Sequence, residues 1–423
     1  MSLDSDIGLV GTGVAPLVAA RHLVTQGYSV LLLNPDTDFF LEDSELSLDP
    51  LWPMDKNTVS LDRLLSCSAE RAVDELRPSF PGMVEVWSGS SGIAESADYH
   101  DPDAPHVRQR SRLWIAPREN NQSTNKEYWA SIEEMYVEVF DRGLNPKTLE
   151  GLLAARRFPG FSLQSDRISQ KTENLRGVQI PKFSDVDVTR YRNGILGFVR
   201  ERLGPDRVVC GATQIEIIPE GIRFHARGVP RTARLKEGAL IFWTPRLTNW
   251  ILAESKRWEA KPVMPRGLRF FEQWSIMSRE PLDCTVIGTY GDLTAWAEVE
   301  GTPSSEQTRL AVLRAGELRA VGVENVLELG LDWASADSFN VLAGFCNDFL
   351  NWERFSIRAM RPKAIFEWKN NNLSWSLGQL GQHGRFGKIS HKVKVIGGCD
   401  GPLVNVVGRA RAACEDIEKW RSA

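Results

Sequence analysis

The clearest alternation of apolar and polar positions lies at the start of the chain. Ile7, Leu9 and Val10 form a short apolar run, Gly11 and Gly13 interrupt it, and Leu17, Ala20, Leu23 and Val24 recur at helical spacing. Gly27 follows as a helix stop, and Val30 to Leu33 is apolar without a break, the pattern of a strand buried in a parallel sheet. The order predicts strand, tight turn, helix and strand, one complete βαβ unit.

Beyond Pro35 the pattern weakens as far as Pro181. Asp36 to Asp49 is acidic and rich in turn formers, and Ser60 to Leu76 predicts an amphipathic helix. Ser88 to Asn125, with its Ser-Gly, Asp-Pro and Asn-Asn pairs, reads as a long surface loop. Trp129 to Phe140 and Asn145 to Arg157 read as helices, the second stopped by Phe158-Pro159-Gly160. A second organised block starts near Asp185. A helix is predicted over Thr189 to Leu203, ended by Gly204-Pro205, and short strands over Val208 to Cys210, Gln214 to Ile218, Ile222 to Ala226 and Gly238 to Thr244. Between Pro262 and Asn371 the pattern predicts strands at Arg269 to Met277, Asp283 to Gly288 and Leu293 to Glu298, and helices at Ser305 to Leu313 and Ser335 to Phe349. The tail reads as strand (Lys392 to Ile396), glycine turn (Gly397 to Gly401) and helix (Leu403 to Trp420).

Charge and composition narrow the function. The 423 residues carry 51 basic and 55 acidic side chains, a net charge of −4, which argues against a nucleic-acid-coating protein. With 42% hydrophobic residues the chain can bury a sizeable core, and its length suggests two to three domains. Its purely apolar runs are strand-length, far short of the roughly 20 residues needed to cross a bilayer. No transmembrane segment is expected, and an N-terminus without a basic or long apolar leader suggests a cytoplasmic protein. The 6 cysteines stand singly, which disfavours structural zinc and a disulfide framework; no metal site is expected.

Gly11-Thr12-Gly13-Val14-Ala15-Pro16 fits the dinucleotide fingerprint at two of its three glycines. Gly11 permits the tight turn, Gly13 clears space for a pyrophosphate, and the helix opening at Val14 and Ala15 points its amides at that phosphate. Proline at 16 replaces the third glycine at a position where the first helical turn tolerates it. Asn34 stands where an acidic residue would meet the adenosine ribose; it can still bond a hydroxyl. No Arg or Lys follows it immediately, so a 2′-phosphate is not invited.

The N-terminal βαβ unit, the long excursion, Arg192-Asn-Gly-Ile-Leu-Gly-Phe-Val-Arg-Glu-Arg-Leu-Gly204, Val208 to Ile218, Ala239-Leu-Ile-Phe-Trp-Thr-Pro245, and Val395-Ile-Gly-Gly-Cys-Asp-Gly401 before a helix follow one another in this order. In this the chain resembles the flavin-dependent amine oxidase and protoporphyrinogen oxidase superfamily. The resemblance implies an α/β fold: a Rossmann-like FAD-binding domain of discontinuous segments (1–50, 185–260 and 385–423) with an inserted α+β substrate domain (51–184 and 261–384). It also implies a non-covalent FAD. Gly11 and Gly13 would hold its pyrophosphate, Asn34 its ribose, and Gln214 or Ile215 would lie beside the adenine. Thr244 would close the returning strand, Gly397 and Gly398 would face the ribityl chain, and the helix from Leu403 would present its N-terminus to the flavin. The expected activity is oxidation of a C–N or C–C bond of a small-molecule substrate.

The chain departs from that pattern in two places. Asp36 to Leu48 holds no glycine where a Gly-Gly turn is usual, and Asp400 comes slightly late after the C-terminal glycines. The same architecture, with an eroded Gly-x-Gly, occurs in proteins resembling Rab GDP-dissociation inhibitors and escort proteins. A cofactor-free binding or scaffold protein with a protein partner is therefore the alternative, and an NAD-dependent Rossmann enzyme a third. For catalysis, Lys363 lies between apolar runs and could hold water near a flavin, and His383 stands in a glycine-rich loop before the last strand; a snorkelling lysine and an exposed loop histidine are the plainer accounts. Trp333, Trp352, Trp368 and Trp375 could wall a pocket or simply pack a core. Arg108, Arg110 and Arg112 alternate along a strand or loop.

Overall fold

A computed structural model describes residues 2–35, 45–46, 107–117, 147–150, 175–186, 188–265, 267–277, 284–290, 293–300, 307–314, 356–367, 374–378, 383–399 and 401–422. The strands, in chain order, are β1 (Ser2–Val10), β2 (Val30–Asn34), β3 (Glu45–Leu46), β4 (Val107–Pro117), β5 (Lys147–Glu150), β6 (Leu175–Val186), β7 (Val208–Cys210), β8 (Thr213–Ile218), β9 (Gly221–Ala226) and β10 (Val229–Phe242). They continue as β11 (Gly267–Met277), β12 (Cys284–Tyr290), β13 (Leu293–Glu300), β14 (Gln307–Arg314), β15 (Ser356–Glu367), β16 (Ser374–Gly378), β17 (His383–Gly384), β18 (Gly387–Lys388), β19 (Lys392–Ile396) and β20 (Gly401–Pro402). The helices are α1 (Val14–Thr25), α2 (Val188–Leu203), α3 (Thr248–Arg257) and α4 (Leu403–Ser422).

The first sheet runs β16-β19-β10-β1-β2-β7. From β19 to β7 its neighbours are parallel. The fully buried Val30–Asn34 strand is what the unbroken apolar run predicts. The long strand β10 serves two layers. One edge pairs with β1 from Thr232 to Ile241; on the other, the first half pairs antiparallel with β9, which pairs with β8, and the second half pairs with β19. Gly238 marks the changeover at φ 156°; a Cβ there would lie 2.0 Å from the Lys392 carbonyl oxygen, so only glycine lets β19 approach.

Helices α1, α2 and α4 pack on one face, with α1 between the other two. Cys414 Sγ reaches the Ala19 carbonyl at 3.8 Å, and Arg411 bonds His22 Nδ1. The other face carries β8, β9 and α3 over a core of Val10, Leu33, Ile217, Phe224, Ile241, Trp243, Ile251 and Trp258. The sheet is therefore apolar on both sides, with a helical layer and a meander layer sealing it.

The second sheet runs β15-β11-β14-β13-β12-β4-β6-β5 and is antiparallel except where β12 meets β4. Three expectations fail here. Residues 305–313 are expected as a helix, but 307–314 form β14, where Thr308, Leu310 and Val312 alternate with Arg309, Ala311 and Leu313 and pair with β11 and β13. Within the expected helix 145–157, residues 147–150 form a strand on β6. The expected loop 88–125 contains β4, in which Arg108, Arg110 and Arg112 pair with β6. In β14 a short apolar run fits both periods, and in all three segments pairing with neighbouring strands decides for the strand. β16 lies within the stretch 261–384, yet it pairs with β19 in the first sheet. The helices expected at 60–76, 129–140 and 335–349 lie outside the described residues. No described helix is long and apolar enough to cross a membrane.

Candidate dinucleotide crevice

Strands β2, β1, β10 and β19 are parallel neighbours, so the chain leaves all four at one edge of the sheet. Gly11 to Gly13 leave β1, Asn34 ends β2, Trp243 and Thr244 follow β10, and Gly397 to Cys399 follow β19. The connection from β1 goes to β2 on one side while β10 lies on the other, which makes this edge a topological switch point, where open α/β sheets take ligands.

The turn after β1 is tightly held. Gly11 donates its N–H to the Leu33 carbonyl at 3.1 Å, and a Cβ on Gly11 would stand 2.9 Å from Cβ of Phe242. Gly13 has φ 74° and ψ −153°, a conformation side chains resist, and it precedes α1 without any side-chain cap. The first turn of α1 holds no acidic residue either. The first turn therefore brings no carboxylate to the positive end of this helix, which suits an external phosphate. Thr12 Oγ1 and Thr244 Oγ1 lie 3.1 Å apart in a buried bond across the strand ends. Trp243 donates its N–H to the Ile396 carbonyl at 2.8 Å and its indole Nε1–H to Thr248 Oγ1 at 3.0 Å. Its ring meets Trp375 edge-on, centroids 5.1 Å apart.

Asn34 is fully buried, and its main-chain carbonyl accepts from Ala212 N–H at 2.9 Å. That bond draws β8 towards the end of β2. Gln214 has φ 49°, and the β8–β9 register shifts between Thr213 and Glu216. The Ile215 carbonyl leaves the ladder and accepts from Trp250 Nε1 at 2.8 Å. Of the two positions expected beside an adenine, Ile215 therefore has its carbonyl engaged by the protein itself. Cys399 is buried, with Sγ 3.6 Å from the Ile396 carbonyl.

Of the expected cofactor residues, Gly11, Gly13, Val14, Ala15, Asn34, Thr244, Gly397 and Gly398 lie at or just past the ends of β1, β2, β10 and β19, Leu403 opens α4, and Gln214 and Ile215 stand on β8. Lys363 stands elsewhere, in β15 opposite Phe271. That edge strand lies against the 3₁₀ turn Pro245–Leu247, which continues from Thr244. His383 is in β17, opposite Lys388, in a hairpin tied to the end of α3 by Arg385 N–H and the Arg257 carbonyl at 3.2 Å. The two candidate catalytic residues thus belong to different sheets. Among the described residues no group of three His, Cys, Asp or Glu side chains could hold a metal. The sequence reading missed Thr12, Trp243 and Trp250, because each acquires its role from a residue more than four positions away.

No protein-family model matches the chain, and no curated protein matches it in sequence. Solved structures do match. Glycine oxidase from Geobacillus kaustophilus superposes with a TM-score of 0.61 over 99% of this chain and 95% of that one, at 12% identity. NikD, an unusual amino acid oxidase essential for nikkomycin biosynthesis, gives 0.60 over 98% and 94%, also at 12% identity. L-alpha-glycerophosphate oxidase from Mycoplasma pneumoniae, with FAD bound, gives 0.60 over 99% and 95% at 11% identity. The chain has the mixed α/β fold of these oxidases.

Proposed function

We propose that this protein is an FAD-dependent oxidoreductase of the amine oxidase-like superfamily, acting on a C–N bond of a small amine or amino acid. One observation carries the reading. At the switch point of a fold shared with an FAD-bound oxidase, Gly13 turns at positive φ into a helix whose N-cap supplies no side chain and whose first turn holds no acid, with Asn34 at the end of the neighbouring β2. In this reading Gly11, Gly13, Val14 and Ala15 hold the pyrophosphate, and Asn34 bonds the ribose. Gln214 or Ile215 flanks the adenine, and Thr244, Gly397, Gly398 and Leu403 border the flavin end. FAD, held non-covalently, would accept the hydride equivalent; the protein binds, orients and excludes water. Segments 1–50, 185–260 and 385–423 would form the cofactor domain, joined there by β16, and 51–184 with the rest of 261–384 the substrate domain.

The second sheet supports an anionic substrate. Register places Arg361 and Lys363 on one face of β15, opposite Gln273 and Phe271, with Arg269 two positions further along β11. Glu367 is the acidic position on that face of β15. The opposite face carries Met360, Pro362, Ala364 and Phe366 against Trp274, Glu272, Phe270 and Leu268 and is apolar but for one residue. A basic ladder on the strand that abuts Pro245–Leu247 suits a carboxylate.

One observation favours the cofactor-free alternative: Val14, Ala15 and Asn34 are 0% exposed and Thr12 and Thr244 nearly so, as in a crevice already filled. The visible spectrum of the purified protein, with chromatography of what denaturant releases, separates the two. Flavin bands with released FAD support the oxidase. A colourless protein that takes up no added FAD overturns it and directs attention to protein partners.

A further inference from the structure

We infer that the buried Thr12–Thr244 bond is a latch that sets the dinucleotide turn for its ligand, making the two threonines positioning residues; this rests on the FAD reading above. The turn Gly11 to Gly13 has no side chain of its own at either glycine, so its course is set from its flanks. On the β2 side the constraint is the Gly11 N–H on the Leu33 carbonyl. On the β10 side it is the Thr12 hydroxyl on the Thr244 hydroxyl, 3.1 Å apart and separated by 232 positions in sequence. Either hydroxyl can be the donor.

Thr244 is itself anchored. The residue before it is bonded to Ile396 at the end of β19, and its own carbonyl accepts from Leu247 N–H at 3.0 Å. The latch therefore ties the glycine turn after β1 to the exits of β10 and β19 together. Gly13, immediately after the latch, leads into the first amides of α1; because glycine tolerates many backbone angles, its φ of 74° has to be held by its neighbours, and the latch fixes one of them.

The test uses near-isosteric valine. A single Thr12→Val or Thr244→Val breaks the hydroxyl pair from one side, which costs stability. The double variant replaces both partners by apolar groups of the same shape, a change that is nearly neutral to folding. A merely structural pair would therefore recover everything in the double variant. A latch would not: stability returns, but the turn is released. The full-length protein, stripped of bound cofactor, is titrated with FAD, following tryptophan quenching and the flavin spectrum, and its thermal midpoint is read separately. The expected result is a double variant that melts like the wild type yet binds FAD about tenfold more weakly with a broadened flavin spectrum, while Thr12→Ser stays within about twofold of the wild type. A double variant that binds FAD as tightly as the wild type overturns the latch. A wild type that binds no FAD overturns the oxidase reading, and the latch with it.

Discussion

The Arg257 guanidinium stacks on Phe386, 4.5 Å from the ring centroid, although Phe386 is 63% exposed. Trp258 lies 5.2 Å away on Arg257's other contact, Glu216 pairs with it at 2.7 Å, and the Ile217 carbonyl accepts from it at 3.1 Å. Arg257 thus joins three pieces that are distant in sequence: β8, the end of α3 and the β17–β18 hairpin. Replacing Phe386 by Ala removes only an exposed cation–π contact and is expected to cost about 0.5–1 kcal/mol. Replacing Arg257 by Met also removes the cation that pairs with the nearly buried Glu254 at 3.5 Å and leaves Glu216 with Arg223 alone, and about 2–3 kcal/mol is expected. Urea unfolding of both variants measures the order; equal losses would mean that the ion pairs contribute nothing.

Two buried titratable groups give the protein a pH dependence of known sign. His391 is 3% exposed, and burial holds its pKa down at about 4, with Glu220 and the Pro219 backbone opposing weakly. The unfolded chain binds this proton near the ordinary value of 6.5 and the folded one does not, so stability falls as pH drops from 6.5 to about 4. The full loss is about 3 kcal/mol. Glu254 acts the other way: burial raises its pKa, against Arg257 and Trp258, so its contribution improves as pH falls through its folded pKa. His391→Leu should flatten the decline in denaturant midpoint between pH 6.5 and 4.5, and Glu254→Gln should steepen it. A His391→Leu profile parallel to the wild type would contradict the assignment.

At Gly238, β10 changes partners and β19 comes closest. A methyl group there meets the Lys392 carbonyl at 2.0 Å and the Trp420 ring at 2.8 Å, both part of the seam where α4 covers the sheet. Lys392 and Lys394 lie over that same ring, at 5.8 and 5.9 Å. Gly238→Ala is expected to cost about 3 kcal/mol or more, because backbone rather than a flexible side chain has to move. Loss of amide protection confined to β19 and α4 in hydrogen exchange would locate the damage.

How much of this was legible in the sequence depended on the range of the interactions concerned. The βαβ unit, the strand Lys392–Ile396 and the start of α4 at Leu403 follow from patterns confined to about a dozen residues, and all are where the periodicity put them. The glycine turn between β1 and α1 was legible for the same reason, since a turn between a strand and a helix has local chemistry. Strand β14 was misread because Leu310, Val312 and Leu313 fit helical spacing as well as alternation, and only Trp274 and Ala297 across the ladder settle it. Thr12 gave no signal at all: a threonine between two glycines is unremarkable until Thr244 arrives from the far side of the sheet.

The same locality shapes the sharpest test of the nucleotide reading, at Gly13. Its φ of 74° and ψ of −153° belong to a region open almost solely to glycine, so any side chain brings strain of about 1–3 kcal/mol. Gly13→Asp alone is therefore ambiguous, since loss of FAD could reflect a distorted turn. Gly13→Ala supplies the comparison. It carries the strain and nothing more, whereas aspartate at this N-cap position also gives α1 the side-chain cap it lacks, worth about 1 kcal/mol. The aspartate variant should accordingly be the more stable of the two. Toward a pyrophosphate the order reverses, because a carboxylate repels what an alanine methyl only crowds. Thermal midpoints ranking aspartate above alanine, with FAD affinities ranking alanine above aspartate, are the expected outcome. If the two measurements rank the variants in the same order, the glycine serves the turn and not a phosphate.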